Sequence, residues 1–138
     1  MIAYISVGVN DMDLARRFYT SFLPDLGYEW EESHEGIAFA LPVEPGQTVI
    51  WPEFYVKPPF NGEPASNGNG TMVAFEAKTQ QQVRDLHAAG LAGGGTDEGA
   101  PGFRAYYGPR FYVGYLRDPQ GNKIAIFSSN PDEPGRDD

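Results

Sequence analysis

The chain repeats its own beginning. At an offset of 68 residues, Tyr4 falls on Met72, Ile5 on Val73, Val7 on Phe75, Val9 on Ala77, Ala15 on Val83, Arg16 on Arg84 and Phe18 on Leu86. Identity is low, yet both stretches alternate with period two and then switch to helical spacing in the same phase. In the first copy, Asn10-Asp11 offers a helix N-cap, and Leu14, Phe18 and Phe22 recur along one stripe before Pro24 and Gly27. In the second, Thr79 and Gln82 form a capping box; Val83, Leu86, His87 and Gly90 make the stripe, and the run Gly90–Gly95 closes the helix. Further strands are predicted over Tyr28–Glu32, Gly36–Leu41 and Thr48–Lys57, then over Arg110–Arg117 and Asn122–Ser128. Asp118–Gly121 joins the last two as a hairpin turn, and a shorter strand is expected near Phe103–Tyr107. Pro58–Gly70 reads as a linker, and residues 129–138 as a frayed acidic tail. The economical reading is one domain over 1–128, in which a strand–helix–strands unit occupies 1–57 and again 71–128.

Ten Lys and Arg against 19 Asp and Glu leave a net charge of −9. That balance excludes nucleic acid as a partner, because such binding rests on cations neutralising phosphates. Cysteine is absent, which removes disulfides, thiolate nucleophiles, Cys-ligated zinc and iron–sulfur clusters. With only His34 and His87 in the chain, a three-His metal site is also excluded. The apolar opening, Met1–Val9, lacks a basic flank and is too short to span a bilayer. No membrane association and a cytoplasmic location are expected.

In both opening strands the larger apolar residues share one parity and lead into an amphipathic helix, so they are expected to pack on the helices. Ile124 and Ile126 join that side. The opposite parity then carries Tyr4, Ser6, Gly8, Met72, Ala74, Glu76, Ala125 and Phe127, a mixed face of small, aromatic and polar groups. Such a face suits a ligand pocket. A dimer surface or a second core layer would give the same pattern.

Ile5-Ser-Val-Gly-Val-Asn-Asp-Met12 leading to Phe18-Tyr19, Leu26-Gly-Tyr28, Gly70–Phe75, Gly94–Gly102 and Asp118-Pro-Gln-Gly-Asn-Lys-Ile124 follow one another in an order that resembles the vicinal oxygen chelate superfamily. This is the group of glyoxalases, bleomycin resistance proteins and extradiol dioxygenases. The resemblance spans about residues 1–128. It implies an α+β fold of two tandem βαβββ modules, whose curved mixed sheet surrounds a cavity, often in a homodimer. It also implies a divalent metal held by His and Glu side chains from the first and last strands of each module. Carried over, those positions fall on Tyr4, Met72, Ala125 and, near the last strand of the first module, Phe54, with Glu53 adjacent on the other parity. A phenol, a thioether and a methyl cannot replace imidazole and carboxylate. The expectation is that side chains 4, 72 and 125 meet where relatives hold a cation, with no metal and no cofactor.

Tyr4 and Glu76 remain as catalytic candidates. The first is a hydrogen-bond donor or weak acid, and the second a base or counter-ion unless Lys123 pairs with it across strands. The stretch Phe103–Tyr115 combines Arg104, Tyr107, Arg110 and Tyr112, forks and rings that suit planar or carboxylated ligands as well as ordinary cross-strand packing. Trp51 and Phe54 could add an aromatic wall. His87 reads as a packed helix residue and His34 as solvated. The glycine runs at 68–70 and 93–95 lack the Lys-Ser/Thr ending of a phosphate loop. The function expected is binding of a small, partly aromatic or cationic molecule. The alternatives are a lyase, isomerase or dioxygenase-like enzyme with a displaced carboxylate (Glu53, Glu76) or Tyr4-based site, and a purely dimerising module.

Overall fold

Asp11 starts the first helix by accepting the Leu14 amide on its carboxylate at 3.0 Å, and Thr79 starts the second by accepting the Gln82 amide at 3.0 Å. The Gln82 side chain reaches back to the Lys78 amide, one residue before the cap itself. The computed structural model, which describes all of residues 1–138, places these helices in two like units. The first runs β1 (Tyr4–Gly8), α1 (Met12–Thr20), a 3-10 turn (Pro24–Leu26), β2 (Glu29–Ser33), β3 (Gly36–Ala40) and β4 (Glu53–Lys57). The second runs β5 (Met72–Glu76), α2 (Gln80–Ala92), β6 (Thr96–Phe103), β7 (Tyr112–Arg117) and β8 (Lys123–Ser128). Their sheets share one topology, β1-β4-β3-β2 and β5-β8-β7-β6, with β1·β4 and β5·β8 parallel. This is the α+β fold of two tandem βαβββ modules. No helix is long and apolar enough to cross a membrane.

Three elements differ from the sequence expectation. β4 begins at Glu53, five residues late, because Pro52 has no amide to give the ladder. β6 lies upstream of the expected Phe103–Tyr107 strand. Its Gly99, Pro101 and Gly102 read as loop residues, and two register shifts against β7 accommodate them at the sheet edge. Residues 129–138 are docked rather than frayed. The Asn130 side chain donates to Lys78 O at 3.1 Å, Glu133 accepts the first amide of α2 at 2.8 Å, and the Arg136 amide donates to Pro109 O at 2.7 Å.

The helix-side parity builds a single core across both modules. Val7, Phe39, Phe54 and Val56 meet Phe75, Ile124 and Ile126 in it. Phe75 joins the halves, with its ring centroid 5.1 Å from Phe54 and 6.0 Å from Phe22. At Gly90 a Cβ would lie 2.5 Å from Leu116 Cδ1, so a larger residue there would have to displace the Leu116 methyl where α2 meets β7.

One polar node is sealed into this core. The Asp118 carboxylate accepts Tyr19 Oη at 2.6 Å, the Asn122 and Gln120 amides at 2.8 and 2.9 Å, and Asn122 Nδ2 at 2.9 Å. Asn122 Nδ2 also donates to Gly8 O at 3.0 Å, so α1, β1 and the β7–β8 hairpin are tied at one point. Burial, the Asp118 charge and the hydrogen bond to it hold the Tyr19 phenol well above its ordinary pKa. Tyr19→Phe removes one donor from a buried carboxylate, at about 2 kcal/mol and roughly 7 °C in Tm. The folded chain keeps the Tyr19 proton while the unfolded chain loses it near pH 10, so this contribution is full below about pH 10 and fades above it. Thermal unfolding from pH 7 to 11 is expected to give the variant a shallower alkaline decline than the wild type.

Candidate functional site

The face of the second sheet turned away from the helices is set by register. Val113 lies opposite Phe127 and Tyr115 opposite Ala125 on β7 and β8, and Ala125 lies opposite Ala74 on β5. Ala74 on β5 and Ala125 on β8, side by side and next to Tyr115 on β7, leave a hollow between larger neighbours. The loop after β6 closes one side of it: Tyr107 packs edge-on against Phe111 at 5.3 Å, and Phe111 stacks on Phe127 at 5.1 Å. The result is a cavity of about 700 Å³, in which eight of the twelve lining residues are hydrophobic and none is a carboxylate. Its size falls within the range of small-molecule sites.

The segment after β8 braces that loop. Arg136 Nη1 donates to Arg104 O at 2.8 Å and Tyr107 O at 2.9 Å, and Arg110 Nη1 donates to Glu133 O. Behind the sheet, His87 Nε2 contacts Tyr115 O at 3.0 Å and Asp97 Oδ1 at 3.2 Å; both are acceptors, so this nitrogen carries the proton. Burial, and then the Tyr107 hydroxyl, push the Tyr115 phenol up against the opposing charge of Arg104. Tyr115 is therefore a neutral hydrogen-bonding wall at physiological pH.

Of the residues singled out in the sequence, Met72, Tyr107, Arg110 and Ala125 line this cavity. Arg104 sits at its edge, its guanidinium 5.4 Å from the Tyr115 centroid and bonded to the carbonyls of Phe103 and Ala100. The other residues lie elsewhere. Phe54 is 3% exposed and packs in the shared core, because its parity is that of Val56. Tyr112 faces α2, where its hydroxyl accepts from Arg84 at 3.0 Å. Trp51 stands exposed ahead of β4. Glu76 lies opposite Phe127 and lines a separate recess with Lys78 and Ser129, so it does not pair with Lys123. Tyr4, 61% exposed, is on the first sheet with its ring 5.2 Å from Tyr55. Met72 and Ala125 thus meet in the cavity, while Tyr4 does not line it. Phe111 and Tyr115, which belong to the arginine- and aromatic-rich stretch Phe103–Tyr115, also line it, together with Val113, which the sequence reading did not single out; the Tyr112/Val113 alternation beside the Asp118 hairpin was the signal for it.

A sequence model of the glyoxalase/bleomycin resistance protein/dioxygenase superfamily matches residues 1–126. The chain belongs to this superfamily. A glyoxalase/bleomycin resistance protein from Albidiferax ferrireducens T118 has a crystal structure similar to this chain at 36% identity, with TM-score 0.76, covering 93% of this chain and 98% of its own. A glyoxalase-related enzyme from Fulvimarina pelagi shares the fold at 18% identity and TM-score 0.67, covering 93% of this chain and 87% of its own. A superfamily enzyme from Burkholderia phytofirmans PsJN does so at 19% and 0.65, covering 92% and 97%. No curated protein matches the chain.

The superfamily's divalent metal does not fit the residues present. Register pairs Ser6 with Tyr55 as it pairs Ala74 with Ala125, so the first-module position sought near Phe54 is Tyr55. The four positions then hold Tyr4, Tyr55, Met72 and Ala125, and no three His, Asp or Glu side chains converge anywhere in the chain.

Arg136→Ala removes the fork that holds the Arg104–Tyr107 carbonyls. Hydrogen exchange should rise across 104–111 and stay unchanged in β7 and β8, with Tm lower by less than about 4 °C, since the carbonyls released are at the surface.

Proposed function

We propose that this chain binds a small, partly aromatic molecule in the cavity of its second sheet, with no metal or organic cofactor taking part. The observation that carries the reading is the cavity: about 700 Å³, predominantly apolar, and walled by Tyr107, Phe111, Tyr115 and Phe127. Stacked and edge-on rings offer planar guests area and specific geometry. The acidic residues are gathered elsewhere, with Glu29, Glu31 and Glu53 on the first sheet, so the net charge alone does not make this cavity a cation site. Neither Tyr4 nor Glu76 lines it, which favours binding over acid–base catalysis within one chain.

The working unit in this proposal is a homodimer. Tyr4 and Met72 are 61% and 45% exposed on the two open sheet faces, and a second copy laid across them would roof the cavity. Light scattering is expected to give twice the chain mass.

The neutral fluorophore N-phenyl-1-naphthylamine tests the cavity. It should bind saturably, one per chain, and raise Tm by the amount mass action requires. Ala74 is an exposed lining residue, so Ala74→Trp should fill the hollow without unfolding the chain and weaken the dye by at least about tenfold, or ~1.4 kcal/mol. Equal binding by the variant would contradict the reading.

A further inference from the structure

Beside the aromatic cavity lies a second hollow of about 600 Å³, lined by the Asn67–Thr71 turn, Met72, Arg117 and Lys123. Its character is opposite to that of its neighbour: polar, with two of the chain's ten Lys and Arg and no carboxylate on its walls, in a protein of net charge −9. Lys123 stands opposite Met72 on β5 and Arg117 on β7, so register aims all three at one face. It makes no ion pair and no side-chain hydrogen bond; its Nζ rests 4.9 Å over the Tyr115 ring. Arg117 spends Nη1 on Gly121 O at 2.8 Å and Nη2 on Glu98 at 3.1 Å, and further N–H groups of its fork remain. In the turn, Gly68 and Gly70 have φ of +60° and +94°, and the Asn69 and Gly70 amides have no acceptor within the chain. Met72 lines both hollows, and the ring under Lys123 is a wall of the cavity, so one molecule can reach both.

We propose that this second hollow is an oxyanion subsite, and that the ligand is an aromatic molecule carrying a carboxylate, sulfonate or phosphate. This rests on the cavity reading above and extends it. The ring system lies between Tyr107, Phe111 and Phe127, while the anion meets Lys123, the free donors of Arg117 and the turn amides. A phosphate-loop motif is not involved, since a strand rather than a helix follows the turn. Charge-assisted bonds in a partly enclosed site give such an anion more than they would in water.

Two dyes that share the anilinonaphthalene skeleton and differ in one sulfonate separate the subsite from the cavity. The full-length chain should bind 8-anilino-1-naphthalenesulfonate at least about tenfold tighter than N-phenyl-1-naphthylamine. Lys123→Met should cancel that advantage while changing the neutral dye less than about twofold, and Lys123→Arg should preserve it. Among 1-naphthoate and 1-naphthyl phosphate, the tighter binder identifies the oxyanion. Equal affinity of the wild type for both dyes, or an equal loss of both in Lys123→Met, overturns the subsite. So does a Lys123→Met chain that dissociates to monomer with the dye ratio unchanged, which would assign the cations to a carboxylate of a second copy. Failure of the neutral dye alone overturns the cavity reading. The subsite is then decided by inorganic sulfate, whose amide shifts at Gly68–Thr71 must saturate in the wild type and vanish in Lys123→Met.

Discussion

The buried carboxylate of Asp118 is the point on which the two modules hang together. Four donors converge on it, from the α1 phenol, two amides of its own turn and the Asn122 side chain, and Asn122 in turn holds β1. A carboxylate out of water is costly unless its lone pairs are satisfied, so this node forms only when α1, β1 and the β7–β8 hairpin are all in place. It therefore acts as a register check on the fold. It also fixes the hairpin whose outer face, Val113, Tyr115, Ala125 and Phe127, becomes the cavity floor.

Beyond the node, the distribution of side-chain size decides where binding is possible. Aromatic residues crowd the helix side, where Phe18, Tyr19, Phe22, Phe39, Phe54 and Phe75 fill the shared core. Ala74 and Ala125 leave the other face of the second sheet hollow, and the loop before β7, braced by Arg136 and Glu133, supplies the missing wall. The first sheet has the same topology, but Tyr55 stands where the second has Ala125, and Tyr4 packs against it. One repeat thus keeps an apolar cavity, whereas the other has a smaller hollow of about 340 Å³ in which Tyr55 stands beside Glu31, Glu35 and Lys57.

Much of this is legible in the sequence, for a simple reason: period-two and helical patterns report burial directly. The tandem repeat, the helix stripes, the caps at Asp11 and Thr79 and the cavity-face residues Met72, Ala74, Ala125 and Phe127 all follow from it. What escaped reading depends on local breaks in that periodicity. Pro52 delays the start of β4 to Glu53, and the parallel register of β4 on β1, which no pattern within the strand reports, puts Tyr55 rather than Phe54 on the open face. Shifted register in β6 hides a strand among glycines and Pro101, and residues 129–138 are ordered by bonds to distant carbonyls rather than by any pattern of their own. Likewise Lys123 gains its meaning only when Arg117 and the Asn67–Thr71 turn fold against it.

The central claim, that ligand is held on the outer face of the second sheet, is tested most directly by mapping amide shifts during titration with an aromatic probe. Perturbations centred on β5, β7, β8 and residues 107–111 are the predicted result. Shifts gathered on the first sheet with none on β5, β7 and β8, or absent from both faces at saturation, would contradict it.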